Sequence, residues 1–438
     1  MRIAWFTPFS MRSAIGDFSQ HITAALAAHA EVDIWTADEG ERPEAEMPLI
    51  RIGGTGAPEA ALAGYDALVY NMGNYHPFHR EIHEISMRHP GIVILHDRVL
   101  HHFFAAHWES AGGGSSARYV ARMAANHGEA GAQAARACVA GRRGPLLESD
   151  EEVARFPLDT EALRRALGAV THSHEHARDL RSRWLGPVLA LDLPCYRNAV
   201  ELGQRAGDGP PPRDDARIQL TTIGHVIANK RIDDVVRMLA ADEELANRVQ
   251  YTVVGSLDPE SPYVVELQEL LRETPQVRVA LRGWCEPDEL DRLMANTDVF
   301  VNLRHPVMES GSSSLARELA FGRAILCFDA GCFGEVPGDA VARVPAADFD
   351  AAAQALSRLV RDADQRRRLG RRAAEVAAGR TEDAYARALV EFVAEVQRVS
   401  PALRLLDRVG GELATMSADP SLPVFDAIAN DFGRILAL

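Results

Sequence analysis

The chain has few cysteines. There are five among 438 residues (Cys138, Cys195, Cys285, Cys327 and Cys332), scattered, odd in number and without Cys-x-x-Cys spacing. That argues against a structural zinc site and against a disulfide framework, and it points to a reducing cytoplasmic setting. Long apolar runs are missing too: none approaches the roughly 20 residues that span a bilayer. The first residues, Met1 to Phe6, enter an apolar strand directly and show no cleavable signal pattern. Basic charge is in deficit. Lys and Arg number 47 against 62 Asp and Glu, a formal charge of -15. This excludes nucleic-acid binding by bulk phosphate neutralisation and predicts no nucleic-acid partner.

What is present is globular. Hydrophobic residues make up 47% and charged residues 25%. The length suits two domains, each able to bury a core. Short continuous apolar runs at 3–6, 32–36, 67–71, 92–95, 169–171 and 188–191 read as parallel strands buried on both faces. An Ala-rich helical insertion is expected at about 109–160. The Gly/Pro/Asp cluster from Gly207 to Asp215 reads as a linker. After it the alternation restarts, with strands at 219–223, 251–254, 277–281, 299–303, 324–328 and 342–344. Helices are expected at 233–240, 288–296 and 312–321, then at 353–359, 365–378 and 384–399. The expected fold class is α/β, with two Rossmann-like domains facing each other across a cleft and a helical tail. The boundaries are 1–205, a linker at 206–216, 217–380, and helices at 381–438 that pack back on the first domain or serve a partner.

Ligands of open parallel sheets bind at the carboxyl ends of the strands. In the second half one such loop runs from Gly224 and His225 to Lys230 and Arg231, just ahead of a helix. A strand-end glycine, a basic pair and a helix start suit a phosphate. A solvated Lys-Arg pair is the plainer alternative. Another loop reads Arg304-His-Pro-Val-Met-Glu309-Ser310-Gly311-Ser312-Ser313-Ser314 and opens a helix. Its small residues admit an anion to the helix start, and Glu309 can accept hydrogen bonds from sugar hydroxyls. A Ser-capped helix after an ordinary loop is the alternative.

Together, Gly224…Lys230-Arg231-Ile-Asp233, Val253-Val254-Gly255, Arg282-Gly283-Trp284, Asp298 to Pro306, and Glu309-Ser-Gly-Ser to Phe321-Gly322 resemble retaining glycosyltransferases of family 4, which have the GT-B fold. Ser13-Ala-Ile-Gly16-Asp17, Leu95-His96-Asp97 with His101-His102, and His172-Ser173 extend the resemblance to about Val399. It implies a nucleoside diphosphate sugar held mainly by the second domain. Lys230 would neutralise the diphosphate, with His225 where relatives carry arginine. Gly255 and the Gly283-Trp284-Cys285 turn would line the nucleobase pocket. Glu309 would match the first carboxylate of a Glu-x7-Glu pattern and touch the donor hexose. The second position of that pattern is Arg317, with Glu318 next to it. Ser310, Gly311, Ser312, Ser313 and Gly16 complete the expected donor contacts.

In the first half the loop before Asp17 follows the first strand and either approaches the donor or is a plain turn. Fourteen of 16 histidines lie at or before His176. Metal ligation by His96, His101, His102 or the 172–174–176 series is disfavoured, because alternating or adjacent histidines do not converge unaided. His96 and Asp97 stand apart, at the carboxyl end of the 92–95 strand. The resemblance implies that His96 contacts the donor sugar or the acceptor, with Asp97 as support or acceptor contact, and His96, Asp97 and Glu309 are the expected catalytic residues. Ser13, Asp17, His101 and Ser173 are assigned to the acceptor side, Ser173 being equally readable as a helix cap.

The expected reaction is hexose transfer to a hydroxyl acceptor, a glycan, glycolipid or other glycoconjugate. Retention is implied by the resemblance. No metal or other cofactor is expected, since Lys230 and helix N–H groups can stabilise the leaving diphosphate. The other readings are a non-catalytic GT-B-like binding subunit and a nucleotide-sugar epimerase. The apolar stretch from Val99 to Trp108 packs as a core helix or touches a lipid-linked acceptor at the inner face of the membrane.

Overall fold

The computed structural model describes residues 1–10, 13–39, 47–53, 59–110, 115–142, 144, 146–207, 217–415, 427 and 430–431. Its first sheet has seven parallel strands: β1 (Arg2–Phe6), β2 (Glu31–Thr36), β3 (Leu49–Arg51), β4 (Ala67–Met72), β5 (Ile92–Leu95), β6 (Gly168–Thr171) and β7 (Val188–Ala190), in the order β3-β2-β1-β4-β5-β6-β7. Its second has six: β8 (Ile218–Ile223), β9 (Val249–Val254), β10 (Val279–Leu281), β11 (Val299–Asn302), β12 (Ala324–Asp329) and β13 (Ala342–Pro345), in the order β10-β9-β8-β11-β12-β13. Helices connect the strands, as parallel pairing requires.

Both sheets are Rossmann-like. The strand order reverses direction between β1 and β4 in the first and between β8 and β11 in the second. Such switch points open a crevice above the strand ends, because the flanking connections leave on opposite faces. Strands β5 and β11 are buried along their whole length, and Ile3, Trp5 and Phe6 in β1 and Phe300 in β11 have no exposed surface. This is why their sequences are continuous apolar runs and not alternating ones.

The edge strand β3 was not among the expected strands. It has three residues, half-exposed or exposed, and offers no apolar run to read. The segment expected from Val277 becomes strand only at Val279.

Contacts divide the chain into two units. Unit 1 comprises Met1–Asp192, Met308–Gly311 and Asp383–Leu438; unit 2 comprises Leu193–Val307 and Ser312–Glu382. The first division therefore falls before the Arg197–Ala206 helix, not after it. That helix lies so close to the Ser313–Ala320 helix that a Cβ on Gly203 would collide with the Ala320 carbonyl oxygen. Residues 208–216 of the expected linker, and Gly112–Gly114 of the insertion, lie outside the described residues.

Among the described residues the tail carries a long helix, Glu382–Thr415, that continues through Pro401 and does not end at the expected 399. It packs within unit 1. His29 bonds Asp383 at 2.8 Å, Gln397 donates to the Asp66 carbonyl at 3.0 Å, and a Cβ on Gly168 would meet Val396 at 2.6 Å. Ahead of the insertion, Val99, Leu100, Phe103, Phe104 and Trp108 are buried in the unit 1 core. The lipid-facing alternative for this stretch is thereby corrected. No helix among the described residues is long and apolar enough to cross a membrane.

Candidate active site

Unit 2 gathers its charge at the switch point. Gly224 ends β8 with φ +115°, and a Cβ there would collide with the Lys230 ammonium and lie 4.0 Å from the Arg304 guanidinium. Glycine is required twice over, for the backbone angle and for the space. The Lys230 Nζ donates to the Ile223 carbonyl at 2.8 Å, although the residue is only 6% exposed. Next to it, Gly255 lies against the Gly224 backbone and donates its N–H to the Gly283 carbonyl at 2.8 Å. The three glycines thus join the ends of β8, β9 and β10 in close contact.

From β11 a polar chain runs to the start of the Ser313–Ala320 helix. The Glu318 carboxyl receives both its bonds, 3.1 and 2.8 Å, from the Asn302 amide. Asn302 Oδ1 accepts from Arg304 Nε at 3.1 Å, and Arg304 Nη2 donates to Ser314 Oγ at 2.9 Å. Ser314 and Ser312 hydroxyls lie 3.0 Å apart, and Ser312 caps the helix by accepting from Leu315 N–H at 3.3 Å. Burial pushes Glu318 up to about 7, although Asn302, Arg304 and Lys230 pull the other way. His225 is pushed down, first by desolvation and then by Lys230 and Arg304. Two cations and a capped helix start are chemically suited to an anion.

Several expected donor contacts are placed differently. Arg231 turns away: it pairs with Asp234 at 2.7 Å and lies over the Phe349 ring at 5.0 Å. Arg317 pairs with Asp291 at 2.5 Å. Glu318, not Arg317, is the residue tied through Asn302 to Arg304. The Gly283 turn carries Trp284 58% exposed and Cys285 half-buried, its thiol raised by burial. Ser313 is exposed in the first turn of its helix. Sequence reasoning missed Asn302 as a site residue, gave Arg304 and Ser314 no role, and left open whether Glu318 or Arg317 takes the second acidic position. The signal for Asn302 was position: it ends a strand beside the switch point.

Glu309, Ser310 and Gly311 belong to unit 1, not to the second domain as expected. Met308 O accepts from the N–H groups of Arg98 and Val99 at 2.9 and 3.0 Å, and Ser310 N–H donates to His96 O at 2.9 Å. Glu309 thereby pairs antiparallel with Asp97. The three expected catalytic residues, His96, Asp97 and Glu309, are brought together by this pairing although Glu309 lies far along the chain from the other two.

The tautomer of His96 follows from Asn71. The Asn71 amide donates to Phe6 O at 2.9 Å, which turns its Oδ1 to His96 Nε2 at 2.9 Å. Nε2 therefore carries the proton and Nδ1 is an acceptor. Burial holds the ring well below its ordinary pKa of 6.5, with His172 and His79 adding to the effect. His96 is thus a neutral acceptor, suited to a hydroxyl proton. Asp97 Oδ2 accepts from Asn74 N–H at 2.7 Å.

The remaining unit 1 residues are structural in placement. Ser13 and Ser173 are buried caps, accepting from Gly16 N–H at 3.1 Å and His176 N–H at 3.2 Å. Gly16 has no room for a Cβ, which would stand 2.9 Å from Ser10 O. Asp17 is exposed in the first helical turn. His101 is corrected outright: it is fully buried, with Nδ1 on Phe156 O at 2.7 Å and Nε2 on Tyr119 Oη at 2.9 Å. In the 172–174–176 series His172 and His176 are buried and His174 is exposed. Among the described residues no group of three His, Cys, Asp or Glu side chains is placed to share a metal ion.

Residues 208–376 match the family described as glycosyl transferases group 1. No curated protein matches the chain by sequence. Among solved structures, sucrose-phosphate synthase from Thermosynechococcus elongatus is similar, with 16% identity and a TM-score of 0.62 over 90% of this chain and 99% of that one. HepE from Anabaena, solved with UDP and glucose, gives 14% identity and a TM-score of 0.59 over 90% and 99%. A glycosyltransferase from Rickettsia africae gives 10% and 0.58 over 90% and 98%. The chain has the GT-B fold, and the match to glycosyl transferases group 1 lies within it at residues 208–376.

Proposed function

We propose that the chain transfers a hexose from a nucleoside diphosphate sugar to a hydroxyl acceptor, with retention of anomeric configuration and without a metal. The observation that carries this reading is the grouping of Lys230, Arg304 and the Ser312-capped helix around Gly224 at the switch point of the second sheet. In this reading the diphosphate lies there. Departure of the diphosphate leaves negative charge, which fixed cations and N–H dipoles stabilise without reorganising. The bond from the anomeric carbon to phosphate oxygen breaks, the acceptor oxygen bonds that carbon on the same face, and its proton passes to the departing phosphate. His96 Nδ1 and Glu309 accept hydrogen bonds from sugar hydroxyls.

HepE, with the same fold, is solved with UDP and glucose, which makes UDP-glucose the first donor to try. Calorimetric titration with UDP, followed by an assay of UDP release from UDP-glucose, tests the proposal. Binding and turnover should both survive excess chelator. Activity abolished by chelator and restored by Mg²⁺ would reject the metal-free part.

A binding subunit without turnover is the second reading. It is favoured by the ion pair of Arg317 with Asp291 and the burial of Glu318, which leave the second position of the acidic pattern without an open carboxylate. UDP binding with no UDP release from any sugar nucleotide would favour it.

A further inference from the structure

Ser310 is fully buried in unit 1 and holds three hydrogen bonds. Its N–H donates to His96 O at 2.9 Å, and its Oγ accepts from His172 N–H at 2.8 Å. The third bond joins Oγ to His176 Nδ1 at 3.0 Å. On its other side His176, 1% exposed, meets the Asp159 carboxylate through Nε2 at 3.1 Å. Arg183 grips both oxygens of Asp159, at 3.0 and 2.9 Å. Burial alone would raise Asp159, but the bonds from His176 and Arg183 outweigh it and hold the carboxyl well below its usual range.

The protons can be assigned. Ionised Asp159 is acceptor-only, so His176 Nε2 carries a proton toward it. Ser310 Oγ accepts from His172 and, toward a neutral His176, gives its own proton to Nδ1. The resulting line, Arg183–Asp159–His176–Ser310, has the connectivity of a nucleophilic triad. It cannot act as one, because Ser310 has no exposed surface. A wholly apolar packing would fill this space with less desolvation. Such a network, fully satisfied, fixes one geometry.

What it fixes is the 308–311 segment. Successive residues of an extended segment face opposite ways. Ser310 faces the interior, so Glu309 faces away, half-exposed and paired with Asp97. We propose that His176 is a positioning residue: through the Ser310 hydroxyl it sets the 308–311 segment so that Glu309 stands beside His96 and Asp97 to meet the sugar. The inference rests on the reading of Glu309 given above.

Two amide substitutions separate positioning from charge compensation. In His176→Asn the amide sits where Nδ1 stood and can still accept from Ser310, but it falls short of Asp159. In His176→Gln the amide reaches toward Asp159 and loses Ser310. Ser310→Ala removes the same link from the other side.

The full chain is assayed for UDP release from UDP-glucose, for UDP affinity by calorimetry, and for hydrogen exchange at the 308–311 amides. Positioning predicts a kcat loss of about tenfold or more in His176→Gln and Ser310→Ala, since small misplacements of a contact group carry such losses. It predicts rescue to within about threefold in His176→Asn, UDP affinity within about twofold throughout, and non-additivity of His176→Gln with Ser310→Ala. Exchange at 308–311 should quicken in the Gln and Ala variants and not in the Asn variant. Gln equal to or better than Asn would overturn the proposal, leaving His176 as a partner for Asp159 only. Unchanged exchange in Ser310→Ala would overturn it as well. If the unaltered chain releases no UDP, sugar transfer fails, while the exchange pattern still decides whether His176 sets the segment.

Discussion

Glu318 is a carboxyl with no exposed surface, raised from 4.5 to about 7 chiefly by burial. At about 1.4 kcal/mol for each pH unit, keeping it ionised in the folded state costs about 3 kcal/mol. The sign follows from proton binding. Between pH 4.5 and 7 the folded chain holds this proton more tightly than the unfolded chain, so stability falls as pH rises through that window and levels off above it. Glu318→Gln replaces the protonated form with a neutral near-isostere and removes that dependence. Urea unfolding of both proteins, compared at pH 5 and pH 8, isolates the effect, because the other titrating groups are common to both. Any fixed loss from the new amide facing Asn302 cancels between the two pH values. The variant should gain up to about 3 kcal/mol relative to the parent on going from pH 5 to pH 8. An identical difference at both pH values would refute the assignment of Glu318 as a carboxyl titrating near neutrality.

Lys230→Ala should weaken UDP binding by about 10- to 100-fold, the range of one hydrogen bond to a charged group, as read by calorimetry. Unchanged affinity would remove the diphosphate from this site. Gly224→Ala should do comparable damage without touching a charge, because its Cβ would collide with the Lys230 ammonium and φ is +115°. Wild-type affinity in that variant would show that the ammonium is not confined there. Gly168→Ala should destabilise unit 1 by about 1–3 kcal/mol through overpacking against Val396, measured by thermal unfolding. No loss would mean that the 382–415 helix yields freely at that contact.

The expected strands, with β3 missing, were legible because a parallel sheet covered on both faces demands continuous apolar runs. β1, β5 and β11 have that pattern, whereas β3 is a half-exposed edge strand with no such run. Lys230 and Glu309 could be picked out as charged residues in loops that follow strands.

By itself, then, the sequence determined two parallel α/β sheets, the strand-end loops and the chemistry available in them. Only the tertiary structure decided which of those groups meet. Arg231 and Lys230 are neighbours in sequence, yet one lies over Phe349 and the other against Gly224. Arg317 and Glu318 diverge in the same way, to Asp291 and to Asn302, since adjacent helical residues point about 100° apart. The return of Met308–Gly311 to unit 1 and the link from Ser310 to His176 depend on contacts between residues far apart in the chain. Local propensity carries no record of such pairings, because their energy comes from groups that meet only after the chain has folded.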